Sequence, residues 1–440
     1  VPDQERHQVT TDPLAPPRLE LTTATLDNGL RVVLHHDPAT PLAAVNLWYA
    51  VGSRDEEPGR TGFAHLFEHL MFQGSSHVAP NEHFQLLEAV GASLNATTSL
   101  DRTNYFETVP AEHLDLALWL EADRMGSLDV SQENLDNQRE VVKEEKRQRY
   151  DNQPAGTLWP DVLHGLFDPS HPYGHAPIGS MEDLDEASLD DVVRFHATWY
   201  GPDNAVLTVV SPFDHADVLE RVERYFAGIE PLGGVPATPD GVLPRLPLDA
   251  PARREVPDRV TTPVVTAAWR IPAYGHPDHD AAQVALAVLG YGRGSRLSRA
   301  LTVDRRLVSP SARMLSGSGF VSGAAVALSR FEAREGVSAD AVVEAVLGEA
   351  QRLADDPPTA AEIERARALF AVDWLESLGD PTSRADDISR TTQLTGDHEA
   401  VNRELDGVLA ATPEHVARVA AEVLAPDAGL VLTYVPQEAA

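Results

Sequence analysis

The sequence predicts an α+β chain of two homologous domains, each an α/β sandwich of sheet and helices, related by internal duplication. Three observations carry that reading. At 440 residues the chain exceeds what one hydrophobic core usually supports. Strand-like and helix-like stretches alternate along it. Finally, residues 263–292, "PVVTAAWRIPAYGHPDHDAAQVALAVLGYG", repeat the plan of residues 41–74, "PLAAVNLWYAVGSRDEEPGRTGFAHLFEHLMFQG". Each has a strand containing a tryptophan (Trp48, Trp269), a polar Gly/Pro loop and an apolar helix that ends at glycine.

The elements follow in order. Residues 1–18 lack an apolar signal-like core and read as a flexible leader. Asn28-Gly29 signals a tight turn into a strand from Leu30 to Leu34, and residues 42–53 form a second strand rich in β-formers. Gly62 to Gly74 reads as a helix, followed by a helical "EHFQLLEAVGA" and paired strands over 93–110. Two long helices, "AEHLDLALWLEADRMGSL" and "SQENLDNQREVVKEEKRQRY", precede a strand at 204–213. These elements make a first domain over 19–228. Residues 229–258, with seven prolines and three glycines and no sustained period, read as a linker to a second domain over 259–440.

Composition narrows the function classes. With 68 acidic against 35 basic residues the net charge is -33, which argues against a nucleic-acid or anionic-membrane partner. There is no cysteine, so any metal must be held by His, Asp or Glu. No apolar run reaches the roughly 18 residues that a membrane span needs. A cytoplasmic protein is the expectation; because the chain does not begin with Met, a removed signal and secretion stay open.

"GFAHLFEHLMFQGS" (62–75) sets His65, Glu68 and His69 among Phe63, Leu66, Phe67, Leu70, Met71 and Phe72. An apolar helix avoids unpaired charge, so the three groups need a reason. Aligned on Gly74 and Gly292, the second copy has Gln283, Leu286 and Ala287 at these places, so the helix does not need them for folding. Residues three and four apart share a helix face, and two imidazoles one turn apart can reach a single Zn²⁺. Glu68 either ligates or acts as base; H-x-x-E-H is the inverzincin order. The third ligand lies elsewhere, with Glu140, Glu144 and Glu145 as candidates. Glu145 is favoured because it shares a face with Val141 and Val142.

"NGLRVVL", "VGSRDE", "GFAHLFEHLMFQGS", "NATTSLDRTNYFETVP" and "REVVKEEKRQRYDNQP" resemble, in that order, the signature blocks of the pitrilysin and mitochondrial-processing-peptidase family, in its bacterial branch of two-domain subunits. The resemblance implies mostly antiparallel sheets packed with helices and a zinc endopeptidase acting on peptides in an enclosed chamber. It implies zinc ligands His65, His69 and Glu145, Glu68 as general base, and Asn95 and Ala96 on a substrate-binding edge strand.

The chain also departs from that pattern. The family's substrate-clamping arginine and tyrosine fall, within residues 301–312, on Val303 and Ser309. Arg296, Arg305 or Arg306 are the available substitutes for the arginine, and Tyr291 is the nearest tyrosine. Gln138 replaces a supporting glutamate. The resemblance therefore implies a heterodimer with a homologous subunit that lacks zinc and carries the clamp; a homodimer and a non-catalytic scaffold are the alternatives. His35, His36, His77, His83, His276 and His279 read as surface histidines.

Overall fold

The computed structural model describes residues 17–236, 252–309, 313–316, 325–425 and 428–437. The first sheet contains β1 (Leu21–Thr25), β2 (Arg31–His36), β3 (Leu42–Tyr49), β4 (Ser93–Thr98), β5 (Thr103–Pro110) and β6 (Ala205–Ser211), in the order β1-β2-β6-β3-β5-β4. The second contains β7 (Ala252–Asp258), β8 (Val264–Ile271), β9 (Arg313–Ser316), β10 (Ala325–Glu332) and β11 (Gly429–Pro436), in the order β7-β11-β8-β10-β9. Setting β1 aside, the two orders correspond strand for strand. In each, the first pair is parallel and the rest are antiparallel. In each, a helix (Phe63–Leu70 or His279–Gly290) follows the central strand and precedes the far edge strand. The duplication read from the sequence is thus a duplication of topology.

Two boundaries differ from the sequence reading. The motif helix ends at Leu70, because Gly74 at φ +110° turns the chain away. Of the expected linker, residues 237–251 lie outside the described residues, but Ala252–Asp258 is β7, paired in parallel with β11. Pro257 is tolerated there because β7 is an edge strand. Of the expected leader, residues 1–16 also lie outside the described residues. Among the described residues no helix is long and apolar enough to cross a membrane.

β3 is almost continuously buried because both faces of its sheet are covered. Val45, Leu47 and Tyr49 face the helices of the first half. Ala44 and Trp48 face the other way, against Ala371, Trp374, Ala385 and Ile388 of the second half. That layer is built by the helices Ala360–Gly379 and Pro381–Thr395, the second of which lies on β3 and β6. The exchange is reciprocal: the first-half helix Leu158–Leu166 lies on β11 and β8. Polar contacts fix the position. Asp386 Oδ1 accepts from Asn46 Nδ2 (3.0 Å), Trp48 Nε1 (2.8 Å) and Asn104 Nδ2 (2.9 Å). Arg384 reaches Asp37 at 2.7 Å, and Ser389 Oγ donates to Thr208 Oγ1 at 2.8 Å.

Ile388 is fully buried in this shared layer. Ile388→Ala is expected to cost about 2–5 kcal/mol. Because the layer belongs to both halves, urea unfolding followed by Trp fluorescence and by far-UV circular dichroism should show one coincident transition, shifted to lower urea as a unit.

Candidate metal centre

The helix Phe63–Leu70 presents two faces. Phe63, Leu66, Phe67 and Leu70 are buried in the first core, while His65, Glu68 and His69 are only partly covered. Gly62 enters it at φ +95°, a backbone state that favours glycine. No side chain at Gly62 caps the helix; the buried carboxylate of Glu56 does, accepting from Gly62 N at 2.9 Å and Ala64 N at 2.8 Å. His175 Nε2 lies 2.8 Å from the same carboxylate. Burial works against a charged imidazole, but the hydrogen bond to Glu56 and its charge outweigh it and hold His175 above its usual value. Burial raises Glu56 in turn, although His175 and the two amides oppose the shift.

The rings of His65 and His69 meet edge to face, 4.9 Å between centroids. The helix Gln132–Lys146 brings Glu145 against them: its Oε2 lies 3.7 Å from His65 Nε2 and 3.3 Å from His69 Nε2. One ligand atom from each of the three residues lies within 4.8 Å of the others. Burial and the neighbouring His69 push His65 down to about 4, against the pull of Glu145. The contact with His69 holds Glu145 below the usual carboxylate range. A neutral imidazole and an ionised carboxylate are the forms that ligate a divalent cation. The donor set therefore fits zinc, and the buried His65 Nδ1 has no hydrogen-bond partner in the protein. Glu140 and Glu144 instead point to solvent and pair with Lys143 and Arg147. The two valines that favoured Glu145 divide: Val142 is in the core, Val141 is 43% exposed at the site.

Beside His69 opens a cleft of about 370 Å³, lined by Glu68, Phe72, Phe84, Asn95, Ala96, Gln138 and Val141 among others. Among the described residues, all that line it come from the first half. One wall is β4, the edge strand of the sheet, with Asn95 exposed and Ala96 buried. Ala96 N donates to Asn95 Oδ1 at 2.9 Å. Gln138 is buried in the opposite wall.

Thr98 on β4 donates to Glu68 Oε2 at 2.6 Å. Burial raises the Glu68 carboxyl, opposed by that hydrogen bond. The neighbouring Thr97 donates to Asn104 Oδ1 at 2.7 Å, Arg102 Nη1 donates to the same oxygen at 2.7 Å, and Asn104 donates to Asp386. A chain of hydrogen bonds thus runs from the second-half helix to the strand that holds Glu68. Neither Thr98 nor Glu56 was singled out from the sequence; each acts through a contact that spacing does not encode.

A family model described as Insulinase (Peptidase family M16) matches residues 31–167, and one described as Peptidase M16 inactive domain matches residues 186–370. The zinc protease PqqE of Helicobacter pylori is 31% identical over 359 residues, 81% of this chain and 80% of that protein. The chain belongs to the M16 peptidase family. A protein of Schizosaccharomyces pombe described as "Probable mitochondrial-processing peptidase subunit beta" is 28% identical over 417 residues, covering 91% of this chain and 88% of its own. The crystal structure of a protease from Helicobacter pylori aligns with a TM-score of 0.88 at 27% identity, over 96% of this chain and all of the other. His65, Glu68, His69 and Glu145 lie in the stretch matched by the first model. The half matched by the inactive-domain model carries Gln283, Leu286 and Ala287 instead, the latter two buried.

The departures from the M16 pattern can also be located. Val303 is 62% exposed in the helical segment Ser298–Asp304. Ser309 N donates to Glu332 O at 3.0 Å; residues 310–312 lie outside the described residues. Arg296 is held by both oxygens of Glu362 at 2.8 and 3.0 Å, and Tyr291 OH donates to Asp373 at 2.8 Å. Arg305 and Arg306 are exposed. None of these residues lines the cleft. The expectation of surface histidines is corrected for His35, His83 and His279, which are 9%, 4% and 8% exposed. Each lies on an element whose inner side is covered by a neighbour distant in sequence.

The Glu56–His175 pair sets a pH dependence. Because the folded pKa of His175 is raised, its contribution is complete below about pH 6.5, the unfolded value, and is lost as pH rises through the folded pKa. Thermal melts over that range should show wild type losing stability above neutrality and His175→Ala losing less. Thr98→Val should lower kcat about tenfold, the worth of one hydrogen bond to a charged group, with Thr98→Ser restoring most of it and metal content unchanged.

Proposed function

We propose that the chain is the catalytic subunit of a zinc-dependent endopeptidase that cleaves peptides or unfolded segments in an enclosed chamber, and that a homologous subunit without the zinc motif completes the site. The observation that carries this reading is the convergence of His65 Nε2, His69 Nε2 and Glu145 Oε2, with Glu68 one step away on the same helix. Bound there, zinc supplies a Lewis acid that lowers the pKa of water and polarises a carbonyl. Glu68 is the base: its carboxyl, raised by burial, takes the proton of the attacking water and delivers it to the leaving amine. Thr98 occupies Oε2 and so leaves Oε1 for that transfer. Along β4, an extended peptide adds as a further strand by main-chain hydrogen bonds, displacing the Asn95 side chain from the Ala96 amide.

The need for a partner rests on what the cleft lacks. Among the described residues its lining contains no arginine or tyrosine, and Val303 and Ser309 stand where the family resemblance implies the clamping pair. The fission-yeast relative is, by its description, one subunit of an assembly. A binding contact of this kind contributes a few kcal/mol to turnover, so the single chain should be a weak enzyme. Glu68→Gln is expected to keep zinc and lose about 10²–10⁴-fold in kcat. Elemental analysis and peptide turnover, with and without chelator, check both. Full activity of purified chain that stays monomeric in sedimentation would remove the partner; activity confined to a self-associated dimer would make the partner a second copy.

A further inference from the structure

The search for chemistry outside the cleft leads to a second cluster in the first half, at His83, Glu107 and Glu121. His83 stands on the helix Glu82–Ala89, Glu107 on β5 and Glu121 on the helix Leu114–Ser127. They are 4%, 1% and 0% exposed, and one ligand atom from each lies within 4.8 Å of the others. We propose that these three side chains form a second divalent-metal site, structural rather than catalytic, that takes Zn²⁺ and braces the wall of the cleft.

Two observations point to a ligand. His83 Nε2 and Glu107 Oε1 are both buried without a hydrogen-bond partner, in an interior where such atoms are almost always paired. Only one of the two carboxylates also has a cation bonded to it. Arg124 donates to both oxygens of Glu121, with Nε at 3.0 Å from Oε2, and so neutralises one carboxylate of two. A proton on Glu107 is the competitor, favoured by burial and by the charge of Glu121. That proton pairs the carboxylates but leaves His83 Nε2 orphaned. A metal ion takes the histidine and both carboxylates together, and imidazole with carboxylate is a zinc donor set.

The cluster is separate from the His65–His69–Glu145 centre. The ring of Phe72 stands edge-on to His83, 5.4 Å between centroids, and also lines the cleft. An ion behind it ties the helix Glu82–Ala89 to β5, the strand that carries β4. Its role is to hold the cleft wall and the edge strand in register.

The test counts zinc in the full-length chain with the other centre removed. After dialysis against Zn²⁺ and then metal-free buffer, a His65→Ala/His69→Ala variant should retain about one zinc per chain by elemental analysis. Adding His83→Gln, or separately Glu107→Gln, should take this close to zero while circular dichroism stays native. Anomalous scattering at the zinc edge from wild-type crystals, which needs no variant, should place an ion beside His83. A double variant that retains no zinc, retained zinc that ignores both substitutions, or only water density beside His83 would overturn the proposal. The count is independent of the catalytic reading. If His65 and His69 do not bind zinc, wild type and the double variant hold equal amounts, and only the His83 and Glu107 substitutions reduce them.

Discussion

A sheet with two apolar faces must be covered twice, and the first half of this chain has helices enough for one face only. Trp48, Ala44, Val206 and Val210 turn their side chains to the uncovered face, where Trp374, Ala385 and Ile388 arrive from more than 150 residues away in sequence. The second sheet has the same problem and solves it with Leu163 and Leu166 from the first half. This exchange makes the duplicated halves interdependent. It also explains why the half with Gln283, Leu286 and Ala287 in place of the His-Glu-His residues is more than a relic. Burying Trp48 beside Asn46 and Asn104 requires an acceptor for their N–H groups, and Asp386 is that acceptor.

The same demand for satisfied polar groups shapes the centre. The helix Phe63–Leu70 is too apolar to lie at a surface and too rich in ionisable groups to be simple core. Its start is stabilised by a buried carboxylate, because Gly62 offers no side-chain acceptor. Along it, burial acts in opposite directions on neighbouring groups. It lowers His65, which keeps the imidazole neutral, and it raises Glu68, which makes the carboxylate more basic. Both shifts come from one environment acting on groups of opposite charge type, and both suit metal-assisted hydrolysis.

Much of this was legible in the sequence. The His-x-x-Glu-His spacing fixes which side chains share a helix face, and the contrast with Gln283, Leu286 and Ala287 shows that the helix forms without them. The strands β3, β4, β5 and β6 were readable because β-formers ran between clear turn signals. β7 was not, because Pro257 and its neighbours read as linker until an edge position made proline acceptable. Glu145 was favoured by its face on the helix, although Val141, half of that argument, proved to line the cleft.

By itself the sequence determined the pieces whose information is local: helix and strand periods, the two imidazoles one turn apart, the absence of cysteine, and the repeated plan of the two halves. Tertiary structure alone decided how those pieces serve one another. Glu56 reaches the helix start, Thr98 reaches Glu68, Asp386 crosses between the halves and His83 turns inward, each through a contact between residues far apart or on separate elements. The physical reason is common to all four. Spacing along a helix or strand fixes direction within that element, whereas burial and hydrogen-bond partners depend on which distant element is laid against it.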